Sequence, residues 1–155
     1  MADDENDNDG PAAPERVVED PADVPTPERD YLLGQFISVA NLGASFGVTL
    51  TVGGLIITGT LIGGKEYLEL LASSVDAAGF GKKEGEEETA LGKLVRSYSH
   101  LYDDVKFDTF ATPGYIHLKN VQFIPVSGTG NTFNGVLWRG RLMEVSGWTL
   151  GVASI

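Results

Sequence analysis

The residues able to carry reaction chemistry are few and scattered. There are two histidines and no cysteine, so disulfides, thiolate metal sites and cysteine nucleophiles are excluded. His100 falls in a helical pattern and His117 in a strand pattern, and neither has a second ligand or a carboxylate at metal-binding spacing. His117 could act as a general base beside a hydroxyl or carboxylate brought close by folding, but a lone histidine within Tyr115-Ile-His-Leu-Lys119 reads more simply as structural. The run Gly59-Thr-Leu-Ile-Gly63-Gly64-Lys65 has the glycines and lysine of a phosphate-binding loop. Its glycines are separated by only three residues, no Ser or Thr follows the lysine, and no parallel-sheet layout accompanies it. The expectation is a chain that is not an enzyme, with no catalytic residue, no metal site and no cofactor.

A third pattern, Trp138-Arg139-Gly140-Arg141, opens an RNA-binding alternative. Sm-like barrels place an Arg-Gly pair in a late strand, and a tryptophan can stack a base. Charge argues against it. The chain carries −11 overall; residues 1–30 hold 11 acidic side chains and 2 arginines, or −9, leaving 11 acidic against 9 basic, or −2, for the remainder. A near-neutral body behind a strongly acidic segment repels polyanions unless its few cations cluster, so nucleic acid is not the expected partner.

The elements that must position these residues follow from composition and periodicity. Residues 1–27 hold five of the seven prolines, many acids and no aromatic residue, and cannot bury enough apolar surface to balance the entropy of ordering. They read as a disordered acidic tail, a composition that also fits a halophilic source. The opening Met1-Ala2-Asp3-Asp4-Glu5 has neither a basic nor an apolar signal region. The most apolar stretch, Phe46 to Ile62, is interrupted by Gly53-Gly54 and by threonines, short of the roughly 18 continuous apolar residues of a membrane helix. A soluble, cytoplasmic protein is expected.

Residues 28–155 read as a single domain. Thr26 as cap, Pro27, and Leu33, Phe36, Ile37 and Ala40 at helical spacing predict a helix over about 27–42, stopped by Gly43. Phe46–Val52 and Leu55–Leu61 alternate around Gly53-Gly54 and predict a tight hairpin. Gly59, inside the second strand, predicts a sharp bend. Periodicity then turns helical, with Tyr67, Leu68, Leu71 and Val75 on one side. After a charged loop at 79–89 come Leu91, Leu94, Val95, Tyr98, Leu101, Tyr102 and Val105. These predict a two-helix insertion at about 64–111, its apolar stripes burying each other or packing on the sheet. Strands are predicted again at Tyr115–Ile124, before a Ser127-Gly-Thr-Gly-Asn131 loop, then at Val136–Val145, and after Ser146-Gly147 at Trp148–Ala153. The predicted fold is α+β: a small, strongly bent five-stranded antiparallel β-barrel of the SH3-like or Sm-like kind, with an N-terminal helix and a two-helix insertion between strands 2 and 3.

Three blocks in this order resemble the gas vesicle accessory protein family GvpU: Leu50-Thr-Val-Gly-Gly-Leu-Ile-Ile-Thr-Gly-Thr-Leu-Ile-Gly-Gly-Lys-Glu-Tyr67; Ile116-His-Leu-Lys-Asn120; and Trp138-Arg-Gly-Arg-Leu-Met-Glu-Val-Ser-Gly-Trp-Thr-Leu-Gly151. The resemblance covers most of residues 36–153. It implies a cytoplasmic, gas-vesicle-associated protein of prokaryotes, accessory to the gas-filled protein shell, with shell or other gas vesicle proteins as partners. The expected function is a non-catalytic binding or assembly module that acts on the vesicle surface or through self-association, with vesicle clustering as an extension. Aromatic and arginine residues favour interface centres, so Tyr115, Trp138, Arg139, Arg141 and Trp148 are the candidate protein-contact residues.

Overall fold

The structure is a computed structural model that describes residues 30–107, 113–125 and 135–153. The expected tail at 1–27 and the expected loop at 127–131 lie outside the described residues. The architecture is α+β, a five-stranded antiparallel sheet with three α-helices.

Helix α1 spans Tyr31–Asn41 and starts later than the sequence pattern suggests. Its cap is Asp30, not Thr26: the Asp30 backbone is extended, and its Oδ1 accepts the Leu33 N–H at 2.9 Å. The same carboxylate accepts the Trp148 indole N–H through Oδ2 at 2.6 Å, so one side chain both starts the helix and ties it to the last strand. Leu33, Ile37 and Ala40 form the buried stripe of α1, and Gly43, at φ 102°, ends the helix as expected.

Strands β1 (Phe46–Val52) and β2 (Leu55–Ile62) form the expected hairpin. Gly53 and Gly54 both take positive φ, 55° and 81°, as a two-residue primed turn requires. Strand β3 (Tyr115–Pro125) pairs with β2, β4 (Val136–Arg141) with β3, and β5 (Val145–Leu150) with β1, giving the order β4-β3-β2-β1-β5. The core lies between the sheet and α1. Leu33, Ile37 and Ala40 cluster there with Val48, Leu50, Ile57, Leu61, Ile116, Leu118, Val121 and Leu142, edged by Phe36, Phe46, Trp138 and Trp148.

The bend expected at Gly59 is present and has an identifiable device. Thr58 pairs with Gln122 and Thr60 with Lys119, so Gly59 alone faces both Asn120 and Val121. Asn120 is the extra residue of this bulge, with φ 53°. Pairing with β4 slips at the same place, between Leu118 and Val121. A Cβ on Gly59 would lie 2.9 Å from the Lys119 carbonyl oxygen, so the strands approach this closely only over a glycine.

Two expectations are corrected. The sheet is curled but not closed into a barrel: β4 and β5 are its two edges. The predicted strand Val136–Val145 breaks after Arg141 into the 3-10 turn Leu142–Glu144, and β5 begins at Val145, before the Ser146-Gly147 expected to be a turn. Alternation carries on from Trp138 into this corner because Leu142 turns inward to the core, 5% exposed, while its N–H donates to Gly114 O at 3.0 Å. That turn joins opposite edges of the sheet. Flat, the outer strands would sit about 19 Å apart, at about 4.8 Å per neighbour. The four Cα steps from Arg141 to Val145 reach at most ~14 Å, so the sheet must curl.

Helix α2 (Gly64–Ala78) and helix α3 (Ala90–Ser97), which continues as the 3-10 turn Tyr98–Tyr102, form the expected insertion. Its packing follows the expectation in part: Tyr67 and Tyr102 lie against His117 of β3, but α3 departs from it. The α3 side that faces α2 is polar: Arg96 reaches Asp76 at 3.0 Å, Glu88 at 2.7 Å and Glu69 at 3.3 Å. Asp76 Oδ1 also accepts the Thr89 N–H at 2.7 Å and its hydroxyl at 2.9 Å. These donors, the Thr89 N–H first, hold the Asp76 carboxyl below its usual range. Gly92 lies directly against Asp76, and Leu91, Leu94, Tyr98 and Leu101 are left exposed.

Gly59→Ala forces the bulge apart and is expected to destabilise the protein by roughly 1–3 kcal/mol in urea unfolding, whereas Asn120→Gly, which suits the same backbone, is expected to stay within about 0.5 kcal/mol of wild type. Asp30→Ala removes both a cap and the indole acceptor. The expected cost is roughly 1–3 kcal/mol, with a change in Trp148 fluorescence that an Ala substitution at a cap without this bond would not produce.

Candidate functional site

Antiparallel register decides which of the candidate residues meet. Tyr115 pairs with Arg141, His117 with Arg139 and Leu118 with Trp138. Because side chains alternate across a strand, Tyr115, His117, Arg139 and Arg141 share the face away from α1, while Ile116, Leu118 and Trp138 point to the core side. Arg139 joins the first group: its Cζ stands 3.6 Å from the Tyr115 ring centroid, and its Nε–H donates to His117 Nε2 at 3.2 Å. Arg141 is exposed and approaches Glu144 at 3.9 Å.

The two tryptophans are elsewhere. Trp138 is half-buried and lies over Gly140, where a Cβ would come within 2.2 Å of its ring. Trp148 is half-buried on β5, at the opposite edge, with its ring centroid 5.6 Å from that of Phe36 and its N–H held by Asp30. Tyr115, Arg139 and Arg141 therefore form one cluster at the β4 edge, and neither tryptophan belongs to it.

His117 is the group sequence reasoning singled out for possible catalysis, and its surroundings define its chemistry. It is 3% exposed. The insertion covers it: the Tyr67 ring from α2 stands 4.7 Å away at 41°, and Tyr102 meets it edge-on at 6.3 Å. A Cβ on Gly64 would fall inside the Tyr102 ring, at 2.1 Å, so that glycine lets the aromatic lid settle. Two positions along β3, Lys119 bonds Glu66 of α2 at 2.6 Å. Nothing in the local sequence signals Tyr67, Tyr102 or Glu66 as neighbours of this strand, because the insertion's fold-back creates those contacts.

Burial, and then the Arg139 charge, push the His117 pKa down to about 4. Its imidazole is neutral at pH 7. With Nε2 accepting from Arg139, the proton sits on Nδ1, a buried atom that has no hydrogen-bond partner among the described residues. Burial likewise raises the Tyr67 hydroxyl. A weak base whose lone pair is already engaged by a guanidinium is poorly placed to abstract a proton; it is well placed to hold Arg139 against Tyr115. His100 is exposed on the 3-10 turn, bonded through Nδ1 to Ser97 O.

The glycine run at 59–65 spans the end of β2 and the first turn of α2. Its lysine, Lys65, is paired with Asp103 at 2.5 Å, and the neighbours of β2 are antiparallel. This corner opens on a cleft of about 470 Å³ bounded by Asn41, Gly63, Lys65, Glu66 and Tyr102. A second cleft of about 410 Å³ separates Leu70, Ser73 and Ser74 of α2 from Lys119, Asn120 and Leu137. Among the described residues no group of three or more His, Asp or Glu could hold a metal ion, and no helix is long and apolar enough to cross a membrane.

The model of one protein family, described as gas vesicle protein GvpU-like, matches residues 30–153. No curated protein and no solved structure gives a significant match.

The His117 environment makes stability depend on pH. The unfolded histidine takes up its proton near 6.5 and the folded one only near 4, so between those values the unfolded chain binds more protons. The stabilisation from neutral His117 is complete above pH 6.5 and is lost as pH falls toward 4, a change on the order of 3 kcal/mol. His117→Gln keeps an acceptor for Arg139 and does not titrate. Urea midpoints at pH 7 and pH 4.5 are expected to differ distinctly less in this variant than in wild type.

Proposed function

The chain belongs to the GvpU-like family of gas vesicle proteins, and on that premise we propose that it is a non-catalytic accessory module that contacts the vesicle surface or other gas vesicle proteins and gathers vesicles by associating with itself. The observation that carries this reading is the extent of the family match. It starts at Asp30, the cap of α1, ends at Ala153 beyond β5, and so takes in every described element. The working place of the protein under this reading is the cytoplasm, on gas vesicles.

Tyr115, Arg139 and Arg141 are the proposed centre of the contact. Support comes from their chemistry and position. Tyr115 is 40% exposed on β3 beside the edge strand β4, Arg139 of β4 lies across its ring, and Arg141 pairs with it in register. Aromatic and arginine side chains contribute most per residue at protein interfaces, and the outer side of β4 offers backbone groups for strand addition. Trp138 and Trp148 act under this reading by supporting the strands and not by touching the partner. The charge of −9 in residues 1–30 would limit indiscriminate association through mutual repulsion.

Flotation tests the reading. Full-length chain mixed with purified gas vesicles and centrifuged is expected to rise with the floating layer, and Tyr115→Ala combined with Arg141→Glu is expected to lower the bound fraction about tenfold. Protein that stays in the subnatant at every ratio, with no change in vesicle light scattering, would show the proposal to be wrong.

A further inference from the structure

We infer that the acidic N-terminal segment, residues 1–29, docks in cis on the cationic outer face of β3 and β4, at Arg139 and Arg141, and shields the contact surface centred there. The docking stands on charge and reach; only its consequence for vesicle contact rests on the function proposed above.

Charge is unevenly divided along the chain. Residues 31–63 carry none. The stretch 64–111, which holds the insertion, has 10 acidic against 6 basic side chains, or −4, whereas residues 112–155 have 3 basic against 1 acidic, or +2. The three cations are Lys119, Arg139 and Arg141, all on the face of β3 and β4 turned away from α1. Lys119 is held by Glu66 at 2.6 Å. Among the described residues no carboxylate pairs with Arg139, whose Nε–H donates to the neutral His117. Arg141 has Glu144 at 3.9 Å, an exposed pair of little strength. Of the insertion's acids, Asp103 is held by Lys65, and Asp104 is followed by Lys106. Two exposed arginines on an edge strand, one fixed across the Tyr115 ring, are therefore open to carboxylates, which guanidinium groups bind through paired N–H donors.

Reach and composition choose the occupant. Asp3, Asp4, Glu5, Asp7 and Asp9 place five carboxylates within seven positions. The segment leaves the fold at Asp30, which is bonded to Trp148 of β5. From Trp148 back to Arg141 the chain runs along β5 for about 10 Å and through the corner for at most ~14 Å, so with the bonded side chains the exit lies roughly 30 Å from Arg141. A flexible chain as long as Asp9–Asp30 has a root-mean-square reach of about 25 Å and extends to about 70 Å, enough to round the open edge of the sheet. Reach thus matches span, the condition that gives a tethered ligand its highest effective concentration, on the order of mM. An acidic segment of another molecule, present at far lower concentration, is outcompeted. Exposed ion pairs are individually weak, so docking is strongest where the Debye length is about 30 Å, near 0.01 M salt, and is lost where it is about 3 Å, near 1 M.

Paramagnetic relaxation tests this on the full chain without vesicles. The sequence has no cysteine, so Asn8→Cys carries a single nitroxide label. At low salt the label is expected to broaden the backbone amides of Tyr115, Arg139 and Arg141, and the effect is expected to vanish at 1 M salt. It is also expected to vanish when Asp3→Asn, Asp4→Asn, Glu5→Gln, Asp7→Asn and Asp9→Asn are combined, and to weaken in Arg141→Gln, which keeps the wild-type circular dichroism. Nitroxide on an isotope-free copy, mixed with an unlabelled isotopic copy, is expected to broaden nothing. No broadening of these amides at low salt overturns the inference, as does broadening that survives the five amide substitutions or is equally strong between copies. Flotation at low salt reads the consequence: the five-amide variant is expected to bind vesicles several-fold better than wild type. Equal flotation of the two overturns the shielding. If the relaxation effect is seen and neither floats, the docking stands and the proposed vesicle contact fails.

Discussion

The bulge at Asn120 opposite Gly59 is the constraint on which the rest of the structure depends. One extra residue in β3 slips the pairing with both neighbouring strands and increases the local coil of the sheet. Only with that curvature can three residues, Leu142–Glu144, carry the chain from the β4 edge to the β1 side and let β5 begin. Curvature also makes a concave face small enough for the single helix α1 to cover. The apolar core is consequently concentrated between α1 and the sheet, and Asp30 fastens the helix to β5 where the two would otherwise splay.

The insertion obeys different physics. It touches the outer face of β3 through an aromatic and ionic contact, Tyr67 and Tyr102 on His117 and Glu66 on Lys119, and its own helices meet through a buried threonine, an aspartate and an arginine. Such polar contacts have directional demands that apolar packing lacks, and they fix one arrangement of the helices. They also release the apolar residues of α3 from any duty inside the molecule.

For a member of the GvpU-like family, this division has a functional consequence. The sheet edge carries a cation–aromatic cluster held in place from below by a neutral histidine, and the insertion carries an apolar stripe on a separate surface. The proposed vesicle contact uses only the first of these two surfaces. Net charge is concentrated in the first thirty residues, and the repulsion it exerts acts over about a Debye length.

Much of this was legible in the sequence because it is local. The Gly53-Gly54 turn, the alternation of β1 and β2, the bend at Gly59, the stop at Gly43 and the two helices of the insertion all follow from backbone preference and periodicity within a few residues. The likeness to the gas vesicle family came from three blocks of residues that lie on the β1–β2 hairpin and the start of α2, on β3, and on β4 to β5. Local pattern failed where a residue's partner lies far along the chain. Asp30 caps α1 and also holds the indole of Trp148, 118 positions away, a partner that no local pattern reveals. The corner at Leu142 kept an apolar rhythm because the core needed that side chain. The leucines of α3 read as a buried face because periodicity reports amphipathicity, not which side is covered. The sequence alone determined the elements and their turns; only the tertiary structure decided that the sheet stays open, that His117 is neutral beneath Arg139 and that α3 faces outward, since each depends on groups that chain folding, not chain order, makes neighbours.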